Sequence, residues 1–168
     1  MFHSDIAEEL TKLRDSGFLI GIKVETESEG MSMLDVARLQ VLSARVGVPL
    51  LLKIGGCEAL SDLKFARDLG ISDIVAPMIE SSFAVYKFQE AIESVFPDGF
   101  RPNARILVES STGLENIASI LKQAEGFAIG VNVGRSDLSA SIGLRDGRSC
   151  KVDDPLVTEA VTQIVQLA

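Results

Sequence analysis

Histidine is almost absent from this sequence: His3 is the only one in 168 residues. That scarcity argues against a structural zinc site, and against a Ser-His-Asp triad unless the extreme N-terminus joins it. Cysteine is nearly as rare. Cys57 and Cys150 form no CxxC pair, and with no secretion signal they are expected to be small free side chains, not a disulfide. Tryptophan is missing, and the aromatics are one tyrosine and eight phenylalanines. Basic residues are outnumbered, 16 Lys and Arg against 24 Asp and Glu, for a formal net charge of −8. With no basic stripe, that balance argues against nucleic acid as a partner. No apolar run approaches the roughly 18 residues that span a bilayer, so no membrane partner is expected. The N-terminus shows no basic segment followed by an apolar stretch, which makes a cytoplasmic location the expectation.

What is present is an ordinary globular balance, 46% apolar and 24% charged, in a length that suits one domain, residues 1–168. Helix and strand patterns alternate throughout. Ile6, Leu10 and Leu13 recur at helical spacing before Gly17, predicting a helix over 5–16. Residues 18–24 read as a strand leading to Glu25, Glu27 and Glu29. Ser32 caps a helix closed by Gly47. Residues 48–54 form a second strand broken by Gly55 and Gly56, and residues 58–69 a helix. Residues 73–76 form a third strand stopped by Pro77, followed by a helix capped by Ser81 or Ser82. After a loop over 97–103, residues 104–108 form a fourth strand ending at Glu109. Thr112 to Glu115 reads as a capping box, 127–133 as a fifth strand, 134–153 as a loop, and Asp154-Pro155 as the start of a last helix. Short apolar strands alternating with helices mean an α/β fold with a parallel sheet, either a barrel or an open doubly wound sheet.

In such folds the site lies at the carboxyl ends of the strands. Charged residues gather there: Glu25, Lys53, Glu80, Glu109, Arg135 and Asp137. Glu109 and Asp137 follow adjacent strands about 4.8 Å apart, so both can reach one cation. Such an all-oxygen pair suits Mg²⁺ or Mn²⁺. The competing reading makes Glu109 a helix cap and Asp137 an Asx turn. Lys53, beside two glycines that permit close ligand approach, is a candidate for stabilising an oxyanion, or for a Schiff base if its pKa is depressed. Its plain alternative is a surface lysine paired with a rim carboxylate. Glu80 reads better as a partner of the helix N-terminus than as a base. Among Glu25, Glu27 and Glu29, Glu25 is the candidate for acid/base work.

Three segments carry a resemblance: Ile74 to Ser81, Leu107 to Ser111, and Gly130 to Gly143. In them the chain resembles the citrate lyase beta-subunit and 2-oxo-acid aldolase family of the phosphoenolpyruvate/pyruvate barrel superfamily. The resemblance implies a TIM-type (β/α) barrel and a Mg²⁺ or Mn²⁺ ion held by Glu109 and Asp137. It implies carbon–carbon cleavage through an enolate of a 2-oxo acid or an acyl thioester. Lys53 and Glu25 would be catalytic. Gly55, Gly56, Pro77 and Met78 would line the substrate, and Gly134 and Arg135 would offer backbone N–H groups to its carboxylate. A homo-oligomer is also implied. The family usually carries arginine where Lys53 stands, which loses the bidentate fork, and its aldolase branch uses a histidine base, absent here. Eight strands in about 250 residues are implied; five to six β/α units are legible, so the barrel is expected to be incomplete, its C-terminal units missing. A non-catalytic barrel subunit that keeps the metal loop, and a Schiff-base aldolase using Lys53, are the competing functions.

Overall fold

A computed structural model describes residues 2–27, 29–96 and 100–168. Part of the expected 97–103 loop, residues 97–99, lies outside the described residues, as does the side chain of His3. The chain runs α1 (Phe2–Asp15), β1 (Ile22–Glu25), α2 (Met33–Val46), β2 (Leu50–Lys53), α3 (Leu60–Asp68), β3 (Asp73–Ala76), α4 (Ser82–Val95), β4 (Asn103–Val108), α5 (Ser111–Glu115), α6 (Ile117–Ala124), β5 (Gly130–Val133), α7 (Arg135–Asp146) and α8 (Pro155–Leu167). Among the described residues the five strands form one all-parallel sheet in sequential order β1-β2-β3-β4-β5. This is the strand order of a β/α barrel, left open between β1 and β5.

The two faces of the sheet differ. Val24, Leu52, Ile74, Ala76, Ile106 and Val108 point towards the helices and are buried. They meet Val36, Leu63, Phe88 and Ile120 from the helical layer in the main core, and each such side chain removed from water contributes roughly 1.5–3 kcal/mol. Alternation sends Lys23, Glu25, Lys53, Asp73, Val75, Arg105 and Leu107 to the opposite, concave face. A sheet apolar on both faces is therefore realised only on the helix side. At the amino end of the concave face Arg105 reaches Asp73 at 3.3 Å, and Asn103 donates to the same carboxylate at 3.3 Å.

Several elements differ from expectation. The first strand begins at Ile22, not Phe18: the N–H groups of Phe18 and Leu19 are taken by Leu13 at the end of α1, and pairing starts only where Ile22 donates to Pro49. The expected loop over 134–153 contains α7. Its many small polar residues hide the period, yet Leu138 and Ile142, one turn apart, are buried against Val157 and Ala160 of α8. The capping box at Thr112 is not used. Ser110 is the N-cap instead, its hydroxyl accepting from Gly113 N–H at 3.1 Å, and Asn116 separates α5 from α6. Ser32, Ser81 and Asp154 cap α2, α4 and α8 as read. Cys57 and Cys150 are free thiols. No described helix is long and apolar enough to cross a membrane.

Gly113 lets α5 press against the exit of β3. A Cβ there would lie 2.8 Å from the Ile79 carbonyl and 3.2 Å from Val108 Cγ1. Gly113→Ala is therefore expected to destabilise the fold by about 1–3 kcal/mol through overpacking, read as a lower urea midpoint at unchanged m-value.

Candidate active site

The site is assembled from the carboxyl ends of four strands and the start of α7. The parallel register sets Glu25 of β1 beside Lys53 of β2. Their side chains close an ion pair of 2.9 Å, with Lys23 3.8 Å from the same carboxylate oxygen. Burial works against the Lys53 ammonium, but the hydrogen bond to Glu25 and the charges of Glu109, Glu25 and Asp137 outweigh it, so its pKa lies above the usual 10.5. The reading of Lys53 as a rim-paired surface lysine is thus half right. It is paired, but well covered, at the floor of the site. The Schiff-base alternative required a depressed pKa, and the structure raises it.

Glu109 follows directly on β4 and is 3% exposed. Its Oε1 accepts the Met78 backbone N–H at 3.0 Å. Met78 delivers that N–H from a left-handed conformation, φ 52°, the only positive φ on a described non-glycine residue, at a strain of about 1–3 kcal/mol. Pro77, buried at the end of β3, forces the chain out of the strand just before it. Glu109 is bounded on its other side by Gly134, where a Cβ would sit 2.5 Å from Glu109 Oε2. Gly134 is glycine because the carboxylate occupies the space of a side chain. Asp137 projects from the first turn of α7 and lines the same space at the strand ends as Glu109, close enough for its charge to act on the Glu109 carboxyl. Burial, foremost, together with the Asp137 charge and hydrogen bond, pushes the Glu109 pKa above its ordinary 4.5, against the Met78 N–H and Lys53.

Two neighbouring carboxyl groups, one of them almost fully buried, are stabilised by a proton on one of them or by a cation between them. The donor set is hard oxygen, which fits Mg²⁺ or Mn²⁺. Among the described residues no cluster of three or more metal-ligating side chains exists. A cation on this pair would take its remaining positions from water or from substrate oxygens, as Mg²⁺ does.

Other expected residues divide. Pro77 and Met78 line a cavity of about 540 Å³ at the mouth, together with Glu27, Glu80, Glu109 and Asp137. Gly134 and Arg135 line a second cavity of about 630 Å³ on the concave face, which shares Glu25, Lys53, Glu109 and Asp137 with the first. The Gly134 N–H, expected to meet a substrate carboxylate, is instead donated to the Val108 carbonyl at 3.1 Å. The Arg135 guanidinium donates to the Val152 carbonyl. Gly55 lines the mouth, but its N–H goes to Asp62 at 2.8 Å and Glu27 Oε1 fills the space of its missing Cβ. Gly56 does not line the mouth cavity, and a Cβ there would meet open space. Glu25, Glu27 and Glu29 do not share a strand face, since β1 ends at Glu25. Glu80 does not cap α4; that role is Ser81's. Glu80 accepts the Ser110 hydroxyl at 2.6 Å, and its backbone carbonyl accepts from Asn116 Nδ2 at 2.9 Å. Ser110, Asn116, Ser141 and Leu144 went unread. Only Ser110 carried a signal, as a capping serine three residues before a glycine.

Against known proteins, the model of the HpcH/HpaI aldolase/citrate lyase family matches residues 56–168, well over half of the chain. No curated protein sequence matches. The fold is shared with an HpcH/HpaI aldolase/citrate lyase family protein from Burkholderia cenocepacia J2315 (TM-score 0.76, 17% identity), over 96% of this chain and 71% of that one. It is shared equally with the HpcH/HpaI aldolase from Desulfitobacterium hafniense DCB-2 (0.75, 18%), over 96% and 69%. The citrate synthase SbnG aligns at 0.73 and 18%, over 96% and 68%. These likenesses show the barrel-type fold, and the family model covers β3, β4 with the Glu109 strand end, β5 and the Asp137 helix: the chain belongs to the HpcH/HpaI aldolase/citrate lyase family.

Proposed function

We propose that the chain is a divalent-metal-dependent carbon–carbon lyase acting through the enolate of a 2-oxo acid. The observation that carries this reading is the convergence of Glu109, Asp137 and Lys53 on the cavities at the strand ends. Glu109 and Asp137 would hold Mg²⁺ or Mn²⁺, which when bound supplies a Lewis acid for the 2-oxo group. Two protein carboxylates leave room for a substrate that presents two oxygens. A 2-oxo acid does so through its carboxylate and carbonyl, whereas a thioester offers one, so the former is favoured over an acyl thioester.

The protein's own groups then divide the work. Met78 N–H and Gly134 fix the Glu109 rotamer, so the pair is preorganised. Lys53, kept cationic and held by Glu25, faces negative charge developing on the substrate oxygen. Glu25, 7% exposed and within the shared part of both cavities, is assigned the proton transfer. It takes a proton as the enolate forms and returns one when the enolate carbon is protonated. In the cleavage direction the 4-hydroxyl of a 4-hydroxy-2-oxo acid loses its proton and the C3–C4 bond breaks. An aldehyde and the enolate result, with no change of oxidation state overall. Lys53, without the planar fork of arginine, presents a single compact charge to that oxygen.

Glu109→Gln and Asp137→Asn are each expected to weaken Mg²⁺ binding by at least the roughly 10–100-fold that losing even an outer-shell partner costs a metal site. Calorimetry reads this directly, and wild-type affinity in both variants would sink the metal assignment. Glu109→Gln should at the same time raise the melting temperature of the metal-free protein. The folded-state pKa of Glu109 is raised, so its protonated form is favoured by folding; that stability is present at low pH and lost as pH rises through the raised value. The metal-free wild type should accordingly gain stability on mild acidification more than Glu109→Gln does, in paired thermal scans. Borohydride reduction in the presence of pyruvate should leave Lys53 unlabelled by mass spectrometry, since the ion-paired ammonium is a poor nucleophile. A pyruvyl adduct on Lys53 would restore the Schiff-base mechanism.

A further inference from the structure

The two cavities that meet at Glu109 and Asp137 differ in charge balance: three cations face three carboxylates on the concave side, and one cation faces five carboxylates at the mouth. The concave-face cavity contains Lys23, Lys53 and Arg135. The mouth cavity has Lys53 as its only cation among the described lining residues, and that ammonium is taken by Glu25. The mouth adds two further carboxylates, Glu27 and Glu80, neither ion-paired with a described lysine or arginine. Glu80 is not a loose rim acid. The Ser110 hydroxyl at 2.6 Å and the Asn116 amide on its carbonyl at 2.9 Å hold it in place over the cavity. Opposite lies an apolar lip of Pro77, Met78, Ala140 and Leu144, Leu144 being 85% exposed.

A 2-oxo acid orients itself in this field. Its carboxylate belongs on the less acidic, concave side, where Lys23, Lys53 and Arg135 lie, so the carbon that makes or breaks the bond faces the mouth, and the second fragment sits there. Resting on the reading above, we propose that Glu80, with Glu27, makes the mouth select a non-anionic, hydroxyl-bearing aldehyde and reject phosphorylated or carboxylated ones. A phosphate or carboxylate in that space would face the held Glu80 carboxylate and that of Glu27, with no free cation among the described lining residues, and like-charge juxtaposition in a partly desolvated pocket is strongly unfavourable. A hydroxyl donates to Glu80 instead, while the carbon chain lies on the Met78–Leu144 lip. The condensation balances without a further reactant. Pyruvate loses a methyl proton, its carbon bonds to the aldehyde carbon, and the aldehyde oxygen gains a proton to give a 4-hydroxy-2-oxo acid.

The test is condensation of pyruvate with D-glyceraldehyde, D-glyceraldehyde 3-phosphate and glyoxylate by the full chain with Mg²⁺. Deuterium exchange into the pyruvate methyl group is followed in parallel by NMR. Glyoxylate controls for size, being a smaller anion than glyceraldehyde. The expected result is exchange, with kcat/KM for D-glyceraldehyde at least about tenfold above both anions. Glu80→Gln, which keeps an acceptor for Ser110, should shrink that ratio to within about threefold by raising use of the anions. The ratio is read within one preparation, so partial misfolding does not mimic it. Exchange with anions used as well as glyceraldehyde overturns the selectivity alone. An unchanged ratio in Glu80→Gln overturns the role of Glu80. No exchange at all overturns the enolate function, and this inference with it.

Discussion

A carboxyl group buried beside a second acidic residue is costly, and most of the local architecture is arranged around holding Glu109, 3% exposed, next to Asp137. Glu109 is lodged between a backbone donor and a glycine. Met78 accepts a left-handed backbone to aim its N–H at Oε1. Gly134 surrenders a side chain so that Oε2 has room. On the remaining side stands Lys53, whose charge is maintained by Glu25. Each of these features is a poor choice for stability alone: a strained methionine, a glycine at a helix entry, a well-covered ion pair. They become intelligible together as the surroundings of an acidic pair that folding by itself would not favour.

The pair depends in turn on the division of labour between the faces of the sheet. The helix-facing side chains are fully apolar and carry the core. That frees the concave face to hold Lys23, Glu25, Lys53, Asp73 and Arg105, whose burial would be prohibitive if unpaired. The ion pair between Arg105 and Asp73 neutralises the amino end of that face, leaving the unmatched charge at the carboxyl end, where α5 and α7 begin. Gly113 matters for the same reason: it brings α5 close enough for Ser110 to reach Glu80.

Much of this was legible in advance. Strand–helix alternation and the short apolar strands announced a parallel α/β sheet, and charges clustered at successive strand ends pointed to one mouth. Glu109 stands at the end of β4 as expected, because a residue that ends a parallel strand lies at the carboxyl edge of the sheet, whereas Asp137 stands in the first turn of α7 and not in a loop. What misread was governed by partners distant in sequence. The 18–20 segment is apolar enough for a strand, yet has no β2 residue to pair with. The stretch after Gly134 is too rich in Ser, Gly and Asp to look helical, yet α8 supplies the apolar surface that stabilises it. Gly55 and Gly134 promised open backbone for a ligand; one is covered by Glu27, and the N–H of the other is taken by Val108.

By itself, then, the sequence determined the α/β fold class and the strand ends at which Lys53 and Glu109 stand, because these follow from periodicity and from short-range chain geometry. Tertiary structure alone decided that Lys53 is ion-paired with Glu25, that Glu109 is buried beside Asp137 with a raised proton affinity, and that Glu80 is held over the mouth by Ser110 and Asn116. The physical reason is common to all three. A side chain's charge state and freedom are set by the dielectric and the partners around it, and those are supplied by residues about 30 positions away in the chain.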